Sequence, residues 1–180
     1  MSPEAESALL RSLDELVSRP PAQSTLRKLA EDVEHRLQQD AALRIAWEPV
    51  PLGTYGPLPR GIRSSWVFVL RAGCSTGAER HPNSVQRVMA FRGDGDFQTW
   101  SQGGWQSNRL RAGAQLPLEA RWISIPRNVW HRPVMSDRNW VVVSFHTVPA
   151  AALIEDLAAD DSDPDARPGR SETYAGRSAR

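Results

Sequence analysis

The chain predicts an all-β fold, an antiparallel β-barrel preceded by two α-helices. Three observations lead there. Apolar residues recur with helical spacing up to residue 39 and then lose that period. From residue 43 onward, short β-type runs follow one another, separated by Gly- and Pro-rich breaks. No helical pattern intervenes between those runs, which excludes alternating strand–helix units and a parallel sheet. A length of 180 residues allows one domain with a real core plus extensions. The expected division is a helical extension over 1–42, the barrel over 43–158 and a disordered tail over 159–180.

The first helix is expected over 3–18. Ser2 suits the N-cap, Pro3 the first helical position, and Glu4 and Glu6 complement the positive end of the helix dipole. Leu9, Leu13, Leu16 and Val17 share one face, and Pro20 with Pro21 is expected to end the element. A second helix over 24–39 carries the stripe Leu26, Leu29, Ala30, Val33 and Leu37. His35 lies off that stripe among charged neighbours and reads as a solvated residue.

Strands are expected over 43–50, 65–71, 85–91, 97–100, 121–125 and 140–148, with 51–61 a loop. Arg92–Asp96 reads as a hairpin turn. Gly93 and Gly95 lack the third glycine and the following helix of a dinucleotide-binding loop. Residues 149–158 are expected to form a short closing helix. Beyond 160 the chain is polar, rich in Pro, Gly and Ser, and nearly without large apolar residues, which predicts disorder. Its acidic run lacks the Gly and Glu positions of a calcium loop.

A net charge of +1 supplies no global field toward nucleic acid or an anionic membrane surface. Cys74 is the sole cysteine, so an internal disulfide and a cysteine-rich metal site are both excluded, and it reads as inert. The acidic start MSPEAES has no basic segment followed by an apolar run, and no apolar stretch is long enough to cross a bilayer. The expectation is a cytoplasmic protein with no nucleic-acid and no membrane partner.

The chemistry concentrates in two stretches, GCSTGAERHPNSVQRVMAFRG over 73–93 and ISIPRNVWHRPVM over 123–135. Glu79 and His81 stand two residues apart, which on a strand places both side chains on one face. Gln86 opens the next run and shares a face with Val88 and Ala90. His131 follows the turn Pro126–Trp130. Two neutral imidazoles and a carboxylate suit a divalent first-row metal, and with open positions they make the ligand face of non-haem iron oxygenases. Gln86 adds a weak carbonyl-oxygen ligand or orients a bound water. No serine elbow and no convincingly spaced carboxylate pair competes with this set.

These stretches resemble the two motifs of the cupin superfamily. The first runs Gly, five residues, His-x-His, three or four residues, Glu, six residues, Gly. Here Gly73 is followed after five residues by Glu79-Arg80-His81, after four more by Gln86, and after six more by Gly93. The second is built on Pro-x-Gly, two residues, His, three residues, Asn; here it reads Pro126-Arg127-Asn128, Val129-Trp130, His131, then Met135. Asn128 tolerates the left-handed geometry of the turn glycine it replaces.

The resemblance covers about 43–150 and implies a mononuclear metal held by Glu79, His81 and His131, with Gln86 fourth or just behind them. Glu79 stands where a histidine is usual and Gln86 where glutamate is usual, so the carboxylate has changed places and the ligand total is kept. The alternative is a lost site, with His81 and His131 as polar residues of a metal-free ligand pocket. Two helices followed by such a barrel also resemble the thiol dioxygenases, which hold iron with three histidines.

The implied cofactor is one divalent metal, iron first, then manganese, nickel or zinc. The implied partner is a small organic molecule, and the family implies a homodimer. The leading function is metal-dependent action on that molecule, with dioxygenase chemistry if the metal is iron; the alternative is a non-catalytic binding or sensor protein. Trp130, beside His131, and Arg71 are candidates for the substrate pocket, with Arg127 and Arg132 as further carboxylate binders. Arg80 and Arg87 point away from the ligand face. His146 ends the last expected strand, and alternation alone does not say which way it faces.

Overall fold

Helix α1 (Pro3–Ser18) is capped as its sequence requires, the Ser2 hydroxyl accepting from the Ala5 amide at 3.3 Å. In the computed structural model, which describes residues 2–167 and 169–173, helix α2 runs Pro20–Gln39. The two prolines expected to separate the helices instead open the second one. In a first helical turn their missing N–H groups have no intrahelical partner to lose, so α2 starts at residue 20 and not 24.

Twelve strands follow among the described residues: β1 (Ile45–Pro49), β2 (Ser64–Leu70), β3 (Glu79–Arg80), β4 (Gln86–Arg92), β5 (Asp94–Ser101), β6 (Gly104–Gln106), β7 (Arg109–Arg111), β8 (Trp122–Ile125), β9 (His131–Met135), β10 (Trp140–His146), β11 (Ile154–Leu157) and β12 (Arg170–Thr173). One antiparallel sheet has the order β1-β2-β10-β4-β8. The other runs β12-β11-β3-β9-β5-β6, with β7 also paired to β5. Among the described residues the sheets stay separate, so the expected barrel takes the form of a two-sheet jelly roll.

The result is three layers with two apolar interiors. Between the helices and the first sheet lie Leu13, Leu26, Leu37, Val67, Val69, Val143 and Phe145. Between the two sheets lie Phe68, Leu70, Val88, Phe97, Trp140 and Val142. Strands β2 and β10 are therefore buried on both faces along their whole length. Alternate residues feed alternate interiors: Val67 and Val69 meet the helices, while Trp66, Phe68 and Leu70 meet the second sheet. No helix among the described residues is long and apolar enough to cross a membrane.

Ion pairs lock the helices onto the first sheet. Arg87, with its side chain only 3% exposed, donates to Glu6 at 2.6 and 3.0 Å, and Ser124 donates to the same carboxylate at 2.6 Å. Arg121 pairs with Asp14, which also accepts the Trp122 indole N–H at 2.8 Å. Burial alone would raise the Glu6 carboxyl, but hydrogen bonds from Arg87 and Ser124 and the guanidinium charge hold it below its ordinary value. Glu6→Ala leaves a buried guanidinium unpaired. The expected cost is about 2 kcal/mol in urea unfolding, below the roughly 3–5 kcal/mol of a fully dry pair because Glu6 keeps a wet edge. A change within a few tenths of a kcal/mol would show the clamp to be idle.

The C-terminal region departs from expectation. Residues 149–158 do not form a helix: a single 3-10 turn, Ala150–Ala152, leads into β11, which pairs with β3 on one side and β12 on the other. A helix of that length is marginal alone, whereas a strand inserted between two others satisfies its amides on both edges. The tail expected to be disordered from 159 is placed as far as 173 apart from residue 168, with β12 closing the sheet edge. Residues 168 and 174–180 lie outside the described residues.

Candidate metal centre

Glu79 and His131 face each other across the β3–β9 pairing, as cross-strand partners on one face of the second sheet. His81 follows β3 on the same face and joins them. Ligand atoms of Glu79, His81 and His131 all lie within 4.8 Å of one another. The turn before His131 is tied to the first motif by the Asn128 amide, which donates to the His81 carbonyl at 3.0 Å. Asn128 itself has φ of 66°, the left-handed geometry that a turn glycine usually supplies.

Each imidazole is oriented by a main-chain carbonyl. His131 Nδ1 lies 3.0 Å from the Val129 oxygen, and His81 Nδ1 lies 3.2 Å from the Ile154 oxygen. A carbonyl only accepts, so Nδ1 carries a proton in both rings and Nε2 is the atom that remains for another partner. His131 Nε2 is fully buried, has no hydrogen-bond partner among the described residues, and sits 3.6 Å from Glu79 Oε1. An imidazole nitrogen and a carboxylate oxygen at this distance, one of them fully buried, form a place for a positive charge, either a metal ion or a proton. Their separation is close to what two ligands each about 2.1 Å from one ion subtend. The donor set fits a divalent metal.

Gln86 and His146 complete the surroundings. They are cross-strand partners on β4 and β10, so they face the same side. Gln86 is 4% exposed, with its side-chain oxygen buried and lacking a hydrogen-bond partner among the described residues. It lines a cavity of about 20 Å³ together with Glu79, Phe68, Phe97, Val142 and Ser144. That space holds about one water. His146 packs edge-on against His81 with ring centroids 4.9 Å apart, and its Nδ1 lies 3.4 Å from Ser84 Oγ. Sequence alternation left its direction open because both faces of β10 are buried; its register with Gln86 decides the matter.

Burial is the main reason both histidines resist protonation. His81 is pushed down to about 4 from 6.5, with repulsion from His131 adding to burial and Glu79 opposing it. His146 is also held well below 6.5, by burial and then by His81 and His131. The unfolded chain binds protons at 6.5 that the native protein refuses until about pH 4, so stability falls as pH drops through that window. The slope is up to about 1.4 kcal/mol per pH unit for each such group. Urea midpoints of chelator-treated protein are therefore expected to fall from about pH 7.5 to about pH 5.5, with a flatter profile for His146→Gln. A flat wild-type profile would contradict the burial account.

Two sequence-predicted pocket residues lie elsewhere. Arg71 donates to the carbonyls of Leu37, Asp40 and Leu43, so it caps the end of α2 and the start of the following loop. Trp130 lies under the Arg80 guanidinium, 4.4 Å from its ring centroid, and its indole N–H donates to Asp165 at 2.8 Å. Both contacts belong to the outer side of the sheet. Cys74 packs at the margin of the inter-sheet interior.

No protein-family model matches the chain, and no curated protein sequence matches it. Solved structures with a similar arrangement include an oxalate oxidase in complex with the substrate analogue glycolate, at 16% identity and a TM-score of 0.45 over 59% of this chain and 52% of that one. Pumpkin seed globulin gives 20% and 0.49 over 64% of this chain and 28% of that one. The coconut allergen cocosin gives 16% and 0.44 over 52% of this chain and 23% of that one. The chain thus spans about half the length of the oxalate oxidase and about a quarter of the other two. In its own topology the chain is a two-sheet antiparallel jelly roll in which both motifs meet at β3 and β9, the architecture that the resemblance of those motifs led one to expect.

Proposed function

We propose that Glu79, His81 and His131 hold one divalent metal that binds and activates a small organic molecule at the inner end of the jelly roll. The observation that carries this reading is the buried His131 Nε2 facing the Glu79 carboxylate at 3.6 Å. When bound, the metal supplies Lewis-acid polarisation, and with iron it also supplies dioxygen chemistry.

The chain's own residues do the rest. One carboxylate against a doubly charged ion leaves a net positive site in apolar surroundings, which favours a ligand that binds as a monoanion. Ile45, Phe68, Leu70, Val88, Phe97 and Val142 form the wall of the cavity, so the part of the ligand away from the anion is expected to be apolar and small. Gln86 offers a buried oxygen to a bound water or hydroxyl. His146, backed by Ser84, fixes the position of the His81 ring. The Glu79 side chain is 19% exposed, so water and ligand reach the centre from its side.

The test is oxygen uptake by metal-loaded protein across a panel of small carboxylic acids, thiols and diketones. Uptake that requires both metal and one class of compound supports the enzyme. The second reading, a binding or sensor protein, draws on the cramped interior of about 20 Å³, which has little room for turnover without opening. Ligand-dependent thermal shifts with no turnover across the panel would establish it in place of the first.

A further inference from the structure

We infer that the C-terminal segment 156–165 is an outer brace of the metal centre, in which Asp161 and Asp165 are positioning residues for Glu79 and His131. The inference rests on the metal reading above. Strand alternation turns the neighbours of inward-facing ligands outward, and those neighbours are what the segment grips. The Ala78 amide, one residue before Glu79, donates to Asp161 Oδ1 at 2.8 Å, while the Ala78 carbonyl accepts from the Ala158 amide at 2.9 Å. Arg80, between Glu79 and His81, pairs with Asp156 at 3.0 Å. Trp130, one residue before His131, donates its indole N–H to Asp165 Oδ1 at 2.8 Å, and Trp100 donates to Oδ2 of the same carboxylate at 3.0 Å. The Asp161 carbonyl takes the Trp105 indole at 2.9 Å and Arg132, one residue after His131, at 3.4 Å.

The centre needs such a brace because β3 is two residues long. Among the described residues it meets β9 at the single pair Glu79–His131, and its only other ladder is with β11. A strand that short does not hold a carboxylate to the tolerance a metal demands. The Arg80–Trp130 and Arg132–Trp105 stacks, at 4.4 and 4.2 Å, join the gripped residues into one layer beneath the segment. Pro164 of the segment is buried and lines one pocket with Arg80, Trp130 and Asp156.

Cobalt(II) titration of the full chain, followed by visible absorption and by tryptophan fluorescence, tests this. Asp161→Ala and Asp165→Ala are expected to weaken cobalt binding about tenfold and to alter the visible spectrum, the size of effect typical of groups that orient metal ligands. Asp165→Ala should also shift the fluorescence of Trp100 and Trp130. Asp161→Asn keeps an oxygen for the Ala78 amide and is expected to restore both affinity and spectrum. Asp165 is exposed, so its variant remains informative if Asp161→Ala folds poorly. Lower thermal stability with unchanged cobalt affinity and spectrum would reduce the segment to a structural strap and overturn the inference while leaving the metal reading intact. Wild-type protein that binds no cobalt would overturn both.

Discussion

His131→Ala is expected to abolish tight metal binding, with a loss in affinity of more than about a hundredfold, beyond what changes behind a ligand set cost. Three features of His131 make it the most sensitive position. It is completely buried, its Nδ1 is committed to the Val129 carbonyl, and its Nε2 is the atom facing Glu79. Phe97 stacks on the ring at 5.6 Å and 24°, so an alanine leaves a hole that no neighbouring donor fills. Metal that binds the native centre but not the unfolded chain raises the melting temperature by an amount that grows with the logarithm of its concentration over its Kd. The check is thermal denaturation with and without added metal: a metal-dependent rise for the wild type and none for the variant. An equal rise in both proteins would remove His131 from the ligand set.

Gly95→Ala is expected to destabilise the fold by about 3 kcal/mol or more. A Cβ at Gly95 would lie 2.2 Å from the Trp140 ring, which is fully buried and has no room to retreat. The indole also meets Phe97 at 6.0 Å, and Phe97 stacks on His131, so displacement of Trp140 propagates toward the metal centre. Gly95 is held between Leu110 and Met135 by ladders on both sides, which prevents β5 from bowing outward. A loss of that size corresponds to roughly 6–12 °C in melting temperature for a chain of this length. Trp140→Leu introduced alongside is expected to recover part of the loss, a non-additivity that marks direct contact. Full-strength additivity of the two changes would show that the clash is relieved elsewhere.

What the sequence made legible follows from which surfaces are one-sided. Helices α1 and α2 each bury a single stripe, so their periodicity survives in the residue order. Glu79 and His81 were readable as a pair because residues two apart on a strand share a face, and His131 joined them through the resemblance of both stretches to a known pair of motifs. The rest was hidden for identifiable reasons. Strands β2 and β10 are buried on both faces, which erases the alternation that would have turned His146 inward. Arg71 is spent on three carbonyls at the end of α2, and nothing in its local sequence signals a cap made across the fold. The segment after residue 158 is held by aspartates receiving indole and amide hydrogens rather than by apolar burial. Hydropathy, which underlies the expectation of disorder, does not register such bonds. Trp130, expected at the pocket, lies on the outer side because alternation turns the neighbour of the inward-facing His131 outward.

The most direct measurement is the metal content of untagged protein purified without chelators, by elemental analysis, before and after reconstitution with iron, manganese, nickel and zinc. Two histidines and a carboxylate converging within 4.8 Å predict close to one equivalent of divalent metal per chain. No bound metal in any of these preparations would contradict the account and leave the centre a buried ion pair between His131 and Glu79.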